Sequence, residues 1–305
     1  MSEKSLSNLV ASIRQRLLNI SRERGEDPNL VFIRYVVERL LYRISRSKQS
    51  GQFVLKGAML LTTWTGRIHR PTKDLDLLGI GESSSERIKK IFHDICELEV
   101  EPDGLDFVTE SIQVTEIHED LEYPGQRVKL EARLGNARIN AQIDIGFGDT
   151  VVPKAIEIEY PTLLDLPAPH IHAYPPETVV AEKFQSMISL GMLNSRMKDY
   201  YDLKIMAKEF QFDGNSMAKA IKATFNRRNT IIPTETPVAL TEEFFSNQVK
   251  ITQWQAFLRK NKLEKTNVEL SQVINELCTF LLPPTYAISN NIDFNKKWAD
   301  GGPWV

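Results

Sequence analysis

The chain has 305 residues, which is enough for one large domain or two of ordinary size. Hydrophobic residues make up 42% and charged residues 26%, the balance of a globular protein, and 38 basic against 40 acidic residues leave a formal charge of −2. This charge excludes a broad cationic field, so nucleic-acid binding would need local basic patches. No apolar run reaches the length of a membrane span and the first residues lack the core of a signal peptide, so we expect a cytoplasmic protein with no membrane partner.

The first 50 residues predict a helical N-terminal arm. Apolar residues recur at helical spacing over 5–24 and again over about 30–46. The second helix carries arginines that would be exposed, either as a solvated face or as contacts to nucleic-acid phosphates. The candidate phosphate contacts in the chain are Arg34, Arg39 and Arg43 in this arm and Arg227 and Arg228 further on.

The pattern changes at residue 51, and residues 51–165 predict an α+β core. The predicted elements are a strand over 53–57, helices over 58–65 and 83–98, and strands over 74–78, 106–118, 127–134, 138–146 and 156–160. Asn136 marks a hairpin turn between two of the long strands. The expected fold class is therefore α+β, with a mixed β-sheet core and flanking helices.

Five prolines between residues 161 and 176 favour a linker, and residues 166–305 predict a helical C-terminal domain. Helices are expected over about 177–190, 198–209, 215–227, 240–260 and 267–282, before a polar tail over 283–305. Trp298 and Trp304 in the tail could stack on bases. A role in plugging a groove or in a dimer contact is favoured over stacking.

Asp74 and Asp76 are the most informative pair of residues. Side chains alternate along a strand, so the two acids share one face while Leu75 and Leu77 point to the core. Two acids this close repel each other unless a cation lies between them, and Mg²⁺ is held by one or two carboxylates plus substrate phosphates. The pair predicts metal-assisted handling of a nucleotide, against the alternative of a solvated pair on an edge strand.

Asp144 is the third candidate acid, on the polar face of the strand over 138–146. A carboxylate beside the first pair would complete a two-metal phosphoryl-transfer site, although an exposed strand aspartate is an equal alternative. Gly57 lies where a strand enters a helix, a junction that offers backbone N–H groups to phosphate. Lys56 and Lys73 flank this region.

Two charged segments follow in the predicted helices. Lys183 is either an ordinary surface lysine or a point charge that contacts a triphosphate, and Arg196 and Lys198 could act in the same way. Asp199 and Asp202 share a helix face one turn apart. Asp199 is also explained as a first-turn acid that the helix dipole favours.

These residues together resemble the AbiEii/AbiGii toxin family of nucleotidyltransferases, which is similar in fold to the DNA polymerase β type. The resemblance rests on the order and spacing of the segments Leu55–Ala58, Arg70–Asp76, Ile143–Gly146, Ala181–Lys183 and Arg196–Leu203. It implies a nucleotidyltransferase-type mixed sheet with flanking helices.

The resemblance also implies the roles of individual residues. The implied catalytic residues are Asp74, Asp76, Asp144, Lys183 and Asp199, of which Asp74, Asp76 and Asp144 bind the metal. The implied nucleotide-binding residues are Lys56, Gly57, Ala58, Thr72, Lys183, Arg196 and Lys198. Asp144 is implied as ligand or base, and Asp199 as the residue that fixes Lys183 or an arginine. Ala58 departs from the wider fold, which has serine or glycine there; Thr72 could replace the lost hydroxyl or simply begin a strand.

The implied reaction is attack by a hydroxyl on the α-phosphate of a nucleoside triphosphate, with Mg²⁺ or Mn²⁺ as cofactor. The resemblance implies the toxin of a bacterial toxin–antitoxin system, with the tRNA 3′ end as acceptor and a cognate antitoxin as partner. Two alternatives remain open: a kinase-like transfer of the γ-phosphate to a protein, and a catalytically silent module that binds a nucleotide or a partner. The retained set of five catalytic residues argues against the silent module, and Ala58 is its only support.

Overall fold

The computed structural model describes residues 3–117, 125–264 and 268–305, with the side chains described from residue 7 onward. The chain divides into two compact units. The first comprises Met1–Thr63, Pro71–Gly148 and Ile156–Ala173, and the second comprises Trp64–Arg70, Asp149–Ala155 and Tyr174–Val305. The predicted strand end at 118 and helix start at 267 lie outside the described residues. No helix in the described ranges is long and apolar enough to cross a membrane.

A mixed seven-stranded sheet forms the first unit, and it confirms the predicted fold class. Its strands are β1 (Phe53–Lys56), β2 (Asp74–Gly79), β3 (Asp106–Ile117), β4 (Gly125–Leu134), β5 (Ala137–Phe147), β6 (Ile156–Glu159) and β7 (His170–Ala173). They lie in the order β3-β4-β5-β2-β1-β7-β6. The pairs β2–β5 and β1–β7 are parallel, and the other neighbours are antiparallel.

Helices precede β1 in the sequence and also follow β1 and β2. They are α1 (Glu3–Arg24), α2 (Pro28–Arg46), α3 (Met59–Thr65) and α4 (Ser85–Cys96). Asp27 caps α2 by accepting a hydrogen bond from the Asn29 N–H, and Pro28 occupies the first turn, where its missing N–H costs nothing.

The predicted linker contains a strand, β7, so that prediction is wrong over His170–Ala173. β7 pairs in parallel with β1 and antiparallel with β6. Its Ile171 and Ala173 are buried, whereas His170 and His172 are exposed. An alternating pattern of only four residues is a weaker signal for a strand than the surrounding prolines are for a linker.

Three arginines of α2, Arg34, Arg39 and Arg43, are buried or paired, so the prediction that they form an exposed cationic face is wrong. Arg39 and Arg43 are 1% and 6% exposed. Arg43 Nη1 lies 2.6 Å from Asp103 Oδ2, and Arg39 Nε lies 3.5 Å from the same oxygen. Arg34 is half-buried and pairs with Glu26. Asp103 supplies a counter-charge that helical spacing cannot reveal, and it leaves these cations unsuited to contact nucleic acid.

Glu38, also on α2, makes the stability of the fold depend on pH. Its Oε2 accepts a 2.7 Å hydrogen bond from the Leu163 N–H, and burial raises its pKa to about 7. Because this pKa lies above the usual value of 4.5, we expect the free energy of unfolding to fall as pH rises from 4.5 through about 7. Glu38→Gln should remove this loss, which is on the order of 3 kcal/mol.

Urea unfolding at pH 5 and pH 8 measures the effect. The exposed Glu157, changed to Gln, is the matched control and should keep the wild-type pH dependence. Equal pH dependence in Glu38→Gln and wild type would show that Glu38 is not the titrating group.

The second unit is mainly helical. Its elements are α5 (Pro176–Leu190), α6 (Met197–Glu209), α7 (Gly214–Arg227), α8 (Glu242–Ser246), α9 (Gln248–Lys260) and α10 (Leu270–Ser289), with short strands β8 (Phe212–Asp213) and β9 (Lys297–Trp298). The helix predicted over 240–260 is divided at Asn247, whose side chain accepts from the Val249 N–H and caps α9. The helix predicted to end at 282 continues to Ser289.

The tail tryptophans explain how α10 continues through Pro283 and Pro284. A helical proline lacks the N–H that would bond the carbonyl four residues earlier, which for Pro284 is the Phe280 carbonyl. That carbonyl accepts a 2.9 Å hydrogen bond from the Trp304 indole. Trp298 and Trp304 are 4% and 7% exposed and pack around Phe280. The rings therefore fill a groove, and the base-stacking and dimer-contact alternatives are wrong.

Trp304→Phe tests this explanation. The variant keeps an aromatic ring but leaves the buried Phe280 carbonyl without its donor, so we expect a loss of about 1–3 kcal/mol in the free energy of unfolding. Trp304→Ala should lose about 3–5 kcal/mol because it also removes the ring. Denaturant unfolding measures both, and a Phe variant as stable as wild type would show that the hydrogen bond contributes nothing.

Candidate active site

The centre of the sheet places two of the predicted acids side by side. Asp76 on β2 pairs in register with Asp144 on the parallel neighbour β5, and Asp74 pairs with Gln142. Leu75, between the two β2 acids, is fully buried, whereas Asp74 is exposed and Asp76 half-buried. The alternation that the sequence predicts therefore brings Asp74, Asp76 and Asp144 to one face of the sheet.

Cations flank this pair of acids on both sides. Lys56 on β1 lies in register with Asp76, and Arg127 on β4 lies in register with Asp144. Four adjacent strands thus carry one row of charged residues, in which two acids lie between two cations: Lys56, Asp76, Asp144 and Arg127. Each acid has a cation on its outer side, which offsets the repulsion between the two carboxylates.

Arg127 forms a two-pronged ion pair with Asp144. Its Nε and Nη2 each donate at 2.8 Å, to Oδ1 and Oδ2 respectively. Arg127 was not among the residues predicted for the site, although the sequence carries a signal for it. The two-residue hairpin turn at Asn136 pairs Leu134 with Ala137, and counting back along both strands from this pair brings Arg127 opposite Asp144.

Gly57, directly after β1, lets the backbone approach Asp76 closely. Its φ is +81°, and a Cβ added there would overlap Asp76 Oδ2 and lie 2.7 Å from the Asp76 Cβ and Cγ. A glycine at this position is therefore required for the carboxylate to keep its place. Ala58 and Thr72, two of the predicted nucleotide-binding residues, are half-buried in the connections before α3 and β2.

The carboxylates of the sheet are the candidate ligands for the metal that the family resemblance implies. Asp74 and Asp76 offer oxygen atoms of the kind that Mg²⁺ prefers, with substrate phosphates and water as further ligands. Both oxygens of Asp144 contact Arg127. Across the described residues, no group of three or more His, Cys, Asp or Glu side chains is arranged to hold a metal ion. Asp74 and Asp76 fit a hard cation, and Asp144 does not.

A second charged group lies in the helical unit, centred on two buried acids. Asp199 and Asp202 on α6 are both 0% exposed. Lys183 Nζ on α5 donates to both, at 2.7 Å and 2.8 Å. Arg70 Nε and Nη2 bind the two oxygens of Asp202 at 2.7 Å and 2.8 Å, and Arg196 Nε binds Asp199 at 2.7 Å. We call these five residues the Lys183 cluster.

The acids of the Lys183 cluster are ionised at neutral pH. Burial raises the pKa of Asp202, but the attraction of Lys183 and Arg70 outweighs it and lowers this pKa to about 2. The pKa of Asp199 is also lowered, because Lys183 and Arg196 outweigh its burial. Three cations thus surround two buried carboxylates in the Lys183 cluster.

The contact between Arg70 and Asp202 could not be predicted from the sequence. Both lie within the segments that carry the family resemblance, but they are 132 residues apart and no spacing predicts their contact. Lys198, a predicted nucleotide-binding residue, is exposed and lies outside the Lys183 cluster.

A family model described as the nucleotidyl transferase AbiEii toxin of a type IV TA system matches residues 39–276. The chain belongs to the AbiEii nucleotidyl transferase toxin family. The matched range contains the sheet acids and the whole Lys183 cluster. AbiEii membership confirms the predicted family and makes the chain a nucleotidyltransferase toxin with an antitoxin as partner.

Two solved structures are similar to this AbiEii chain in fold. The crystal structure of JHP933 from Helicobacter pylori has a TM-score of 0.46 at 13% identity, covering 83% of this chain and 90% of its own. A second H. pylori crystal structure, described as a candidate nucleotidyltransferase, has a TM-score of 0.48 at 12% identity, covering 95% and 99%. No curated protein sequence shows significant similarity to the chain.

Arg228, one of the candidate phosphate contacts of this AbiEii chain, has partners within the protein. Its Nη2 lies 3.0 Å from Asp149 Oδ1 and 3.2 Å from Glu182 Oε1, and its Nη1 donates to Gln185 at 2.9 Å. These contacts tie the end of α7 to α5. The guanidinium of Arg228 is thus held by two acids and one amide. Arg227 is half-buried at the end of α7.

Proposed function

We propose that this AbiEii protein transfers a nucleoside monophosphate from a nucleoside triphosphate to an acceptor hydroxyl, with Mg²⁺ or Mn²⁺ bound. The observation that carries the proposal is the shared face of Asp74 and Asp76, with Lys56 in register beside Asp76. In the reaction, the acceptor oxygen bonds to the α-phosphorus. The bond from that phosphorus to the bridging oxygen breaks, and pyrophosphate leaves.

The sheet residues hold the metal and the phosphates in this proposal. Asp74 and Asp76 bind the cation, which when bound neutralises charge on the transferring phosphate. Gly57 keeps the Asp76 carboxylate in place through the close approach of its backbone. Lys56, Thr72 and the backbone N–H of Ala58 contact phosphate oxygens in this proposal.

The Lys183 cluster binds nucleotide phosphate. Lys183 and Arg196 are 12% and 37% exposed at their side chains and supply the charge, together with the exposed Lys198. Asp199, which the family resemblance implies as catalytic, is buried and holds both Lys183 and Arg196. It is therefore a positioning residue, since its carboxylate does not reach solvent.

The tRNA 3′ end is the acceptor that the family resemblance favours. Arg39, Arg43 and Arg228 are held by acids, so contacts to the RNA backbone come from other cations. Lys198 and Arg227 are candidates, the first because it is exposed and the second because it reaches the surface at a helix end. Salt dependence of tRNA binding in Lys198→Ala and Arg227→Ala would measure their contributions.

Asp76→Asn tests the metal assignment. The purified variant is incubated with Mg²⁺, bulk tRNA and each triphosphate labelled at the α-phosphate. We expect label transfer to fall by at least about a hundredfold, because the neutral amide is a poor ligand for a hard cation. Asp94→Asn, on the exposed face of α4, is the matched control and should transfer at the wild-type rate. Transfer by Asp76→Asn at the wild-type rate would refute the assignment.

A further inference from the structure

The Arg127–Asp144 pair has a geometry that bears on how many metal ions the sheet holds. Two parallel N–H···O bonds at 2.8 Å occupy both carboxylate oxygens. Such forks are among the stronger charge-assisted hydrogen bonds, and here both side chains are half-buried, at 30% and 20% exposed. Gln142 Nε2 adds a longer contact of 3.4 Å to Asp144 Oδ2. Asp144 is thus fixed by two neighbours on the sheet.

A divalent cation on Asp144 would have to share these oxygens with a guanidinium. At such short range two cations repel each other strongly, and the negative charge that would attract the metal is already neutralised by Arg127. The register adds a second argument. Asp76 and Asp144 on adjacent strands would require a bridging cation if they had no other partners, but Lys56 and Arg127 lie beside them.

We propose that Arg127, and not a second metal ion, is the counter-cation of Asp144, so that the sheet holds one catalytic cation through Asp74 and Asp76. The inference rests on the proposed function. Arg127 is a positioning residue that keeps Asp144 out of the ligand set. It also leaves a fixed positive charge on β4, two strands from the strand that carries Asp74 and Asp76.

Binding of Mn²⁺ alone, followed by electron paramagnetic resonance, tests the inference without turnover. Wild type should bind one Mn²⁺ per chain in the sheet site, and Asp76→Asn should lose at least about tenfold in affinity. The double variant Arg127→Gln/Asp144→Asn removes the pair with no change in net charge. It should keep the wild-type affinity within about threefold. Arg127→Gln alone frees Asp144 and should bind Mn²⁺ more tightly or bind a second ion.

Arg133→Gln is the matched control, because Arg133 lies on the same strand and pairs with Glu131 at 2.8 Å on the exposed part of the sheet. It should leave Mn²⁺ binding unchanged. Two Mn²⁺ ions in wild type, a double variant as weak as Asp76→Asn, or unchanged binding in Arg127→Gln would each overturn the inference while leaving the proposed function intact. Absence of Mn²⁺ binding in wild type would overturn both. Should the double variant fail to fold, the wild-type stoichiometry of one or two ions decides.

Discussion

Gly57→Ala is expected to reduce nucleotidyl transfer by at least about a hundredfold, because displacement of a reacting group by about 1 Å has an effect of this size. The added Cβ overlaps Asp76 Oδ2 and lies 2.7 Å from two carbons of the same side chain. Gly57 directly follows β1, and Asp76 lies on β2, which pairs with β1. Neither backbone can therefore easily move away. The carboxylate must rotate out of its place. Transfer rate and Mn²⁺ affinity should fall together.

Gly25→Ala is the control for this variant. Gly25 also has a positive φ, +63°, but nothing lies within 4 Å of its added Cβ. Both variants should lose about 1–2 kcal/mol of stability from the left-handed backbone conformation. Only Gly57→Ala should lose activity. Wild-type activity in Gly57→Ala, or an equal loss of activity in both variants, would contradict the role given to the close approach.

Asp202→Asn is expected to lower the free energy of unfolding by about 3–5 kcal/mol at neutral pH. The variant leaves Lys183 and Arg70 largely buried around an uncharged amide. The folded-state pKa of Asp202 is lowered to about 2 from 3.8. Its contribution is therefore present above pH 3.8 and is lost as pH falls through about 2. The difference between wild type and variant should shrink over that range.

Urea unfolding at pH 7 and at pH 3 measures this difference. Asp293→Asn, at an exposed position of the same unit, is the control and should change stability by no more than about 0.5 kcal/mol. An Asp202→Asn variant as stable as wild type at pH 7 would show that the fold does not need this carboxylate to compensate the charges of Lys183 and Arg70.

The alternation of polar and apolar residues was sufficient to predict the strands that carry Asp76 and Asp144. The same alternation failed at His170–Ala173, where four residues among prolines gave too short a pattern. The end of α10 could not be predicted either, because the helix continues past Pro284 only where Trp304 bonds the free Phe280 carbonyl. Local sequence cannot show such a partner.

The candidate site was predictable to the extent that its contacts are local. The shared face of Asp74 and Asp76 follows from strand periodicity, and Arg127 could have been placed by counting back from the hairpin turn at Asn136. The parallel register between Asp76 and Asp144 depends on long-range pairing. The buried state of the α2 arginines likewise depends on an acid far along the chain.

The most direct test of the central claim is to ask which phosphate reaches the acceptor. Wild-type protein is incubated with Mg²⁺, bulk tRNA and triphosphate labelled at either the α- or the γ-phosphate. Nucleotidyl transfer predicts that α-label becomes bound to the RNA, while γ-label is released as pyrophosphate. Label from the γ-phosphate on any acceptor would indicate phosphoryl transfer instead. Retained triphosphate binding with no transfer of either label would indicate a silent module, and either result would contradict the account.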